Sequence, residues 1–124
     1  MPMEVAYSVV LVTAPDAGQA EKLSGELVKR RLAGCVTRIP GAASEYWWEG
    51  KVEKAEEVLL IIKTRTNLIP DVVQCVKENH SHSVPEAIAF PIVEGNKAYL
   101  DWLGANTLFT RPVERRRVAG PQDP

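Results

Sequence analysis

Two cysteines are all the thiol chemistry this chain has, Cys35 and Cys75, forty residues apart in a sequence of 124. No C-x-x-C is present, which excludes a zinc-ribbon half-site and a thioredoxin-like redox motif. Charge of one sign is also missing: 15 basic residues meet 16 acidic ones, for a formal net charge of -1. The chain therefore lacks the electrostatic footprint of a nucleic-acid binder, and none is expected as a partner. Long hydrophobic runs are absent too. The longest, residues 58–62, falls far short of the ~20 residues of a spanning helix, and the start Met1-Pro2-Met3-Glu4 is not a secretory leader. A cytoplasmic chain with no membrane association is the expectation. H-E-x-x-H, the P-loop, G-x-G-x-x-G and the nucleophile elbow are all missing, so no catalytic residue is assigned and the chain is expected not to be an enzyme.

What is present suffices for one globular domain, taken as residues 1–112, with 45% hydrophobic residues. The tail 113–124 has few large apolar side chains to offset the entropy of ordering and is expected to be mobile. Its Arg115, Arg116 and Arg117 read as a solvated run or a contact for an acidic surface.

Residues 7–13 are short, β-branched and apolar, and Ala14-Pro15-Asp16 ends them. The pattern predicts a strand, then a helix with Pro in its first turn. Ala20, Leu23, Leu27 and Leu32 fall on one face of that helix, and Gly34 predicts its stop. From Cys35 the residues turn β-type through Trp48, Glu49-Gly50 offers a turn, and residues 51–65 return. Asn67 is a candidate cap for a second helix that has Pro70 in its first turn and ends near His80, with Leu68, Val72, Cys75, Val76 and Asn79 on one face. Cys75 reads as core. Residues 87–93 predict a strand, Gly95-Asn96 opens a short helix carrying Tyr99, Leu100 and Leu103, and residues 106–111 suggest a last edge strand.

The order βαββαβ predicts an α+β, ferredoxin-like sandwich with a long hairpin between the second and third strands, the first and third strands central, and an extra C-terminal helix. Both central strands are apolar on both faces, yet two helices cover only one. On the uncovered face Val9, Leu11, Leu59 and Ile61 would contribute roughly 6–12 kcal/mol if buried, against association costs of about 4–15 kcal/mol. The two are comparable, and self-assembly on this face is the expectation. Hairpin arms of fourteen residues at ~3.3 Å each reach about 46 Å, well beyond a domain whose radius of gyration is near 14 Å. The arm must project or bend, with Pro40-Gly41 as the bend or bulge. Tyr46, Trp47 and Trp48 would then dock on a neighbouring subunit. The two tryptophans, being adjacent, point to opposite sides.

The segments V-T-A-P-D at 12–16, A-G-C-V at 33–36, I-P-G-A-A-S-E-Y-W-W-E-G-K-V-E at 39–53, E-V-L-L-I-I-K-T-R at 57–65, V-P-E at 84–86 and E-G-N-K-A-Y-L-D-W at 94–102 resemble, in collinear order, the CutA divalent-cation tolerance family. The resemblance implies a ferredoxin-like homotrimer linked to tolerance of metals such as copper, and in animals to anchoring of a membrane acetylcholinesterase. One departure stands out. Where the family reads H-P-Y-E/D-x-P-E, this chain has His80-Ser81-His82-Ser83-Val84-Pro85-Glu86, without the Pro, the Tyr and the acid.

His80 and His82 are the chain's only histidines. At i, i+2 they share a side in an extended segment, where neutral imidazoles would take copper or zinc with Cys35 as a thiolate ligand. The plainer alternative is two loop histidines near a helix end, where imidazolium suits the helix dipole. Glu86 is either a partner for the metal or for Lys63, or a surface carboxylate. Lys63 ends an apolar strand and can carry its amine to solvent or to a cleft. Two functions follow. One is a trimeric copper-type metal-binding protein using His80, His82, Cys35 and Glu86, with no organic cofactor. The other resembles the PII signalling trimers, with a small anion, a nucleotide or a partner protein at inter-subunit clefts near Lys63 and Trp48. The trimer contacts are expected at Tyr46, Trp47, Leu59 and Ile61.

Overall fold

Buried and half-buried residues alternate along the whole of β1 (Tyr7–Ala14), the period of two that a strand shows when one face lies on a core. In the computed structural model, which describes residues 5–111, Ser8, Val10, Val12 and Ala14 point inward. The expected mobile tail 113–124, with its three arginines, lies outside the described residues.

α1 (Ala17–Lys29) is capped by Asp16, whose Oδ1 accepts from the Gln19 N–H at 2.8 Å, satisfying one orphan amide of the first turn. Pro15 thus lies before the cap, not in the first turn as expected. Ala20, Leu23, Ser24 and Leu27 form the buried stripe. The helix ends at Arg31, which takes φ 57, and not at Gly34. The Leu32 N–H donates to the Leu27 carbonyl and the Arg31 N–H to the Val28 carbonyl, both at 3.0 Å, the paired bonds of a Schellman cap. Leu32 is buried just beyond the helix. Gly34 answers a different need: a Cβ there would come within 2.6 Å of Leu103 Cδ1.

β2 (Cys35–Trp48) and β3 (Lys51–Arg65) form the long hairpin, closed by Glu49 at φ 51 and Gly50 at φ 80. Two positive φ values make the type I′ turn whose twist suits a two-residue hairpin. Between the pairs Ile39–Leu59 and Ala42–Glu57, residues Pro40 and Gly41 face only Val58. That is the expected bulge. β1 pairs with β3 no further than Val58, so residues 42–48 and 51–57 project as a two-stranded arm.

A 3-10 turn (Thr66–Leu68) precedes α2 (Ile69–Asn79). Asn67 does not cap it: its Nδ2 donates to the Phe109 carbonyl at 3.1 Å, because the tightened turn displaces it from the cap position, held by Leu68. β4 (Ile88–Pro91) pairs antiparallel with β1, and α3 (Lys97–Ala105) is capped by Asn96 Oδ1 accepting from the Ala98 N–H. The expected strand over residues 106–111 does not form. The Leu108 N–H donates to the Arg31 carbonyl, and Arg65 donates to Thr107 Oγ1 at 3.1 Å and to the Gly104 carbonyl at 2.7 Å, so the segment is tied to the end of α1 and to the Arg65 guanidinium, not to a sheet edge.

Among the described residues the result is an α+β fold with three α-helices and one antiparallel sheet of order β2-β3-β1-β4. β1 and β3 are central. Val10, Val12, Leu60 and Ile62 meet Leu23, Leu27, Leu68, Val72 and Val76 in the core. The opposite face carries ladders of side chains: Cys35, Lys63, Val9 and Phe90 in one row, Thr37, Ile61, Leu11 and Ile88 in the next, then Ile39, Leu59 and Thr13. Leu59 and Ile61 are half-buried and Ile39, Ile88 and Phe90 exposed. The apolar second face expected from the sequence is there.

Candidate functional site

The bulge at Pro40-Gly41 sends the hairpin past the end of β1, and the loop after α2 turns toward the same corner. Between them lies a cleft of about 630 Å³. Ser44, Glu45, Tyr46 and Trp48 line it from β2, Glu57 from β3, Thr13 from β1, and His82, Ser83, Val84 and Glu86 from the loop. The period of two explains the hairpin's share: Ser44, Tyr46 and Trp48 lie on one face, and Glu57, opposite Ala42, keeps the parity of Leu59 and Ile61.

His80 clips the loop in place. Its Nε2 lies 2.8 Å from the Thr13 carbonyl, so Nε2–H donates, and its Nδ1 accepts from the His82 N–H at 3.0 Å. Both ring nitrogens are engaged, one as donor and one as acceptor, as only the neutral ring permits. Gln19 adds a second tie, with Nε2 donating to Ser81 Oγ at 2.9 Å and Oε1 accepting from the Ser81 N–H at 3.1 Å. The His82 ring leans on His80 with centroids 4.9 Å apart and takes no hydrogen bond among the described residues. The two histidines are thus unequal: His80 is structural, and His82 alone has nitrogens to offer a ligand.

The expected metal set is not brought together. Cys35 lies in the ladder row of Lys63 and Val9, whereas His80 bonds Thr13, four residues along β1, roughly 13 Å away. Among the described residues no group of three or more His, Cys, Asp or Glu is placed to hold a metal ion. His82 and Glu86 do share the cleft. Cys35 has other company: Lys63 Nζ lies 3.7 Å from its Sγ and 3.3 Å from Thr37 Oγ1. Burial first, then the neighbouring Cys35, pushes the Tyr99 phenol up. Lys63 and Trp48 are not neighbours either. Trp48 pairs with Lys51, twelve residues down β3 from Lys63, or roughly 40 Å of strand. Glu86 makes no ion pair with Lys63.

Of the four expected subunit contacts, Leu59 and Ile61 lie on the uncovered sheet face and Trp47 is 74% exposed, while Tyr46 is part of the cleft wall. The cleft's own key residue went unread in the sequence. Glu57 is only 9% exposed and has no hydrogen bond or ion pair among the described residues. It sits beside Glu56 in an acidic stretch, but its parity with Leu59 and Ile61 was the available signal. Glu57 and Glu86 bring two carboxylates to the cleft, Glu45 reaches its rim from a strand position that faces the other side, and no Lys or Arg among the described residues lines it.

The chain matches the family model described as CutA1 divalent ion tolerance protein over residues 8–106. It is 48% identical over 99 residues to the chloroplastic protein CutA 1 of Oryza sativa subsp. japonica, covering 80% of this chain and 56% of the rice protein. To the divalent-cation tolerance protein CutA of Thermus thermophilus it is 46% identical over 99 residues, covering 80% of this chain and 96% of the relative. The crystal structure of CutA1 from Oryza sativa superposes with a TM-score of 0.83 at 46% identity, over 86% of this chain and 97% of that one.

Proposed function

The chain belongs to the CutA1 divalent ion tolerance family, and on that premise we propose that it serves divalent-cation tolerance as a non-catalytic homotrimer of ferredoxin-like subunits, binding a copper-type or zinc ion at the cleft. The observation that carries this reading is His82. Its imidazole stands in the cleft on the loop that the His80 clip holds, free of hydrogen bonds among the described residues, and Glu86 lines the same cleft. Imidazole nitrogen with carboxylate oxygen suits borderline divalent ions. Two donors from one chain make a partial site of weak to moderate affinity.

Assembly is supported by the ladders of Val9, Leu11, Leu59, Ile61, Ile88 and Phe90, which no helix of the core covers. The strand order β2-β3-β1-β4, with α1 and α2 packed on one face, supports the ferredoxin-like assignment. Non-catalytic action is part of the same proposal. An anionic ligand beside Trp48 finds no support in a wall that carries Glu57 and Glu86. Cytoplasmic residence belongs to the same proposal and is tested by cell fractionation; no helix among the described residues is long and apolar enough to cross a membrane.

The test is calorimetric titration of the reduced protein with copper(II) and zinc, beside His82→Ala and Glu86→Gln variants of matched mass by sedimentation equilibrium. Saturable binding lost in His82→Ala and weakened in Glu86→Gln is the expected result. Binding unchanged in both variants, or no saturable heat at all, overturns the site. A monomer mass overturns the assembly.

A further inference from the structure

We propose that the cleft also binds a small organic dication of the alkyl-diammonium class, with one ammonium on Glu57 and the chain lying against Trp48. Size is the first argument. About 630 Å³ lies within the range of small-molecule sites and far exceeds what one metal ion and its ligands fill.

Sign is the second. Glu57 and Glu86 line the cleft and, among the described residues, no Lys or Arg does, so its lining favours cations. Glu57 supplies the third argument. It is 9% exposed, no hydrogen bond or ion pair reaches it from the described residues, and its side chain stands in the cleft wall without a protein partner. No sealed side-chain oxygen among the described residues lacks a partner, which means that the Glu57 oxygens open onto the cleft they line. A buried acceptor facing a cavity is the complement of an ammonium, which brings three donors and makes charge-assisted bonds.

The rest of the wall separates an organic cation from a metal ion. Tyr46 and Trp48 present part-exposed rings, and aromatic faces attract ammonium groups through their quadrupole, Trp most strongly. Val84 adds apolar surface for the methylene chain. Glu86 is exposed and lines the same cleft, a second carboxylate for a second ammonium, which is why two charges fit better than one.

The experiment titrates the full chain with 1,4-diaminobutane by calorimetry, in EDTA and at low ionic strength, with 1,4-butanediol as the uncharged counterpart. Saturable binding of the diamine near one per chain is expected, with none of the diol. Affinity should fall at least tenfold in Glu57→Gln, severalfold in Trp48→Leu, and further with added salt. Diamine heats equal to those of the diol, or undiminished in Glu57→Gln, overturn the proposal. Should Glu57→Gln fail to fold, Trp48→Leu decides alone, since Trp48 is exposed and outside the core. Because EDTA removes metal, loss of diamine binding with zinc binding intact rejects only this inference, and the converse rejects only the metal reading.

Discussion

His80→Ala deletes the clip between the loop and β1. Two hydrogen bonds go: the one to the Thr13 carbonyl at 2.8 Å and the one from the His82 N–H at 3.0 Å. At about 0.5–1.5 kcal/mol net for each, the loss should be about 1–3 kcal/mol. His82→Ala removes an exposed ring with no hydrogen bond among the described residues and should stay within about 0.5 kcal/mol of the parent. Urea unfolding at one fixed chain concentration measures both, since assembly makes stability depend on concentration. Under the proposed function metal heat should fall in both variants: His82→Ala loses the donor, and His80→Ala loses the loop geometry that presents it. The two thus come apart in stability and agree in binding. An unfolding free energy for His80→Ala within 0.5 kcal/mol of the parent would refute the clip, as would an equal cost for His82→Ala.

Arg31→Gly should stabilise by about 1 kcal/mol in the same assay, because Arg31 holds φ 57, a conformation that costs an L side chain roughly that much and glycine little. Leu60→Ala, at 0% exposure on the inner face of β3, should cost about 2–5 kcal/mol through lost transfer and cavity terms; a loss under about 1 kcal/mol would mean that the core collapses around it. Burial, the largest cause, pushes the Cys75 thiol above its ordinary value of 9.0. The unfolded chain therefore releases that proton first as pH rises, and this contribution to stability falls above about pH 9. Cys75→Val lacks it, so unfolding at about pH 8 and about pH 10 should show the variant gaining relative to the parent, and a constant difference would count against the buried thiol.

Periodicity carried most of the fold. Short β-branched apolar runs placed both central strands and, being apolar on both faces, identified an apolar second face, because the side-chain period of a strand leaves no other geometry. Glu49-Gly50 and Pro40-Gly41 were legible as turn and bulge from backbone chemistry alone. Glycine statistics misled at Gly34, where close approach to Leu103 and not helix termination explains the residue, while a Schellman cap forms on Arg31 instead. Asn67 and residues 106–111 failed for one reason: their partners, Phe109, Arg31 and Arg65, come from distant parts of the chain. The same holds at the site. His80 and His82 look alike in the sequence, and only a carbonyl 67 residues away assigns one to structure and leaves the other free.

The hairpin's two faces divide the work expected of it. Tyr46 and Trp48 share the face of Ser44 and Glu57 and look into the cleft, while Trp47 and its cross-strand partner Val52 look the other way, 74% and 50% exposed. Trp47 and Val52 thus form an exposed apolar pair on an arm that pairs with no other strand of its own sheet. In the proposed trimer that pair offers a neighbour the arm's outer side, while the cleft side of the arm continues the sheet face of Leu59 and Ile61. A ligand in the cleft would then lie on the same side of the two-stranded ribbon as the proposed subunit contact through Leu59 and Ile61. Occupancy and assembly would be linked through that ribbon, each strengthening the other to the extent that both favour one arm position.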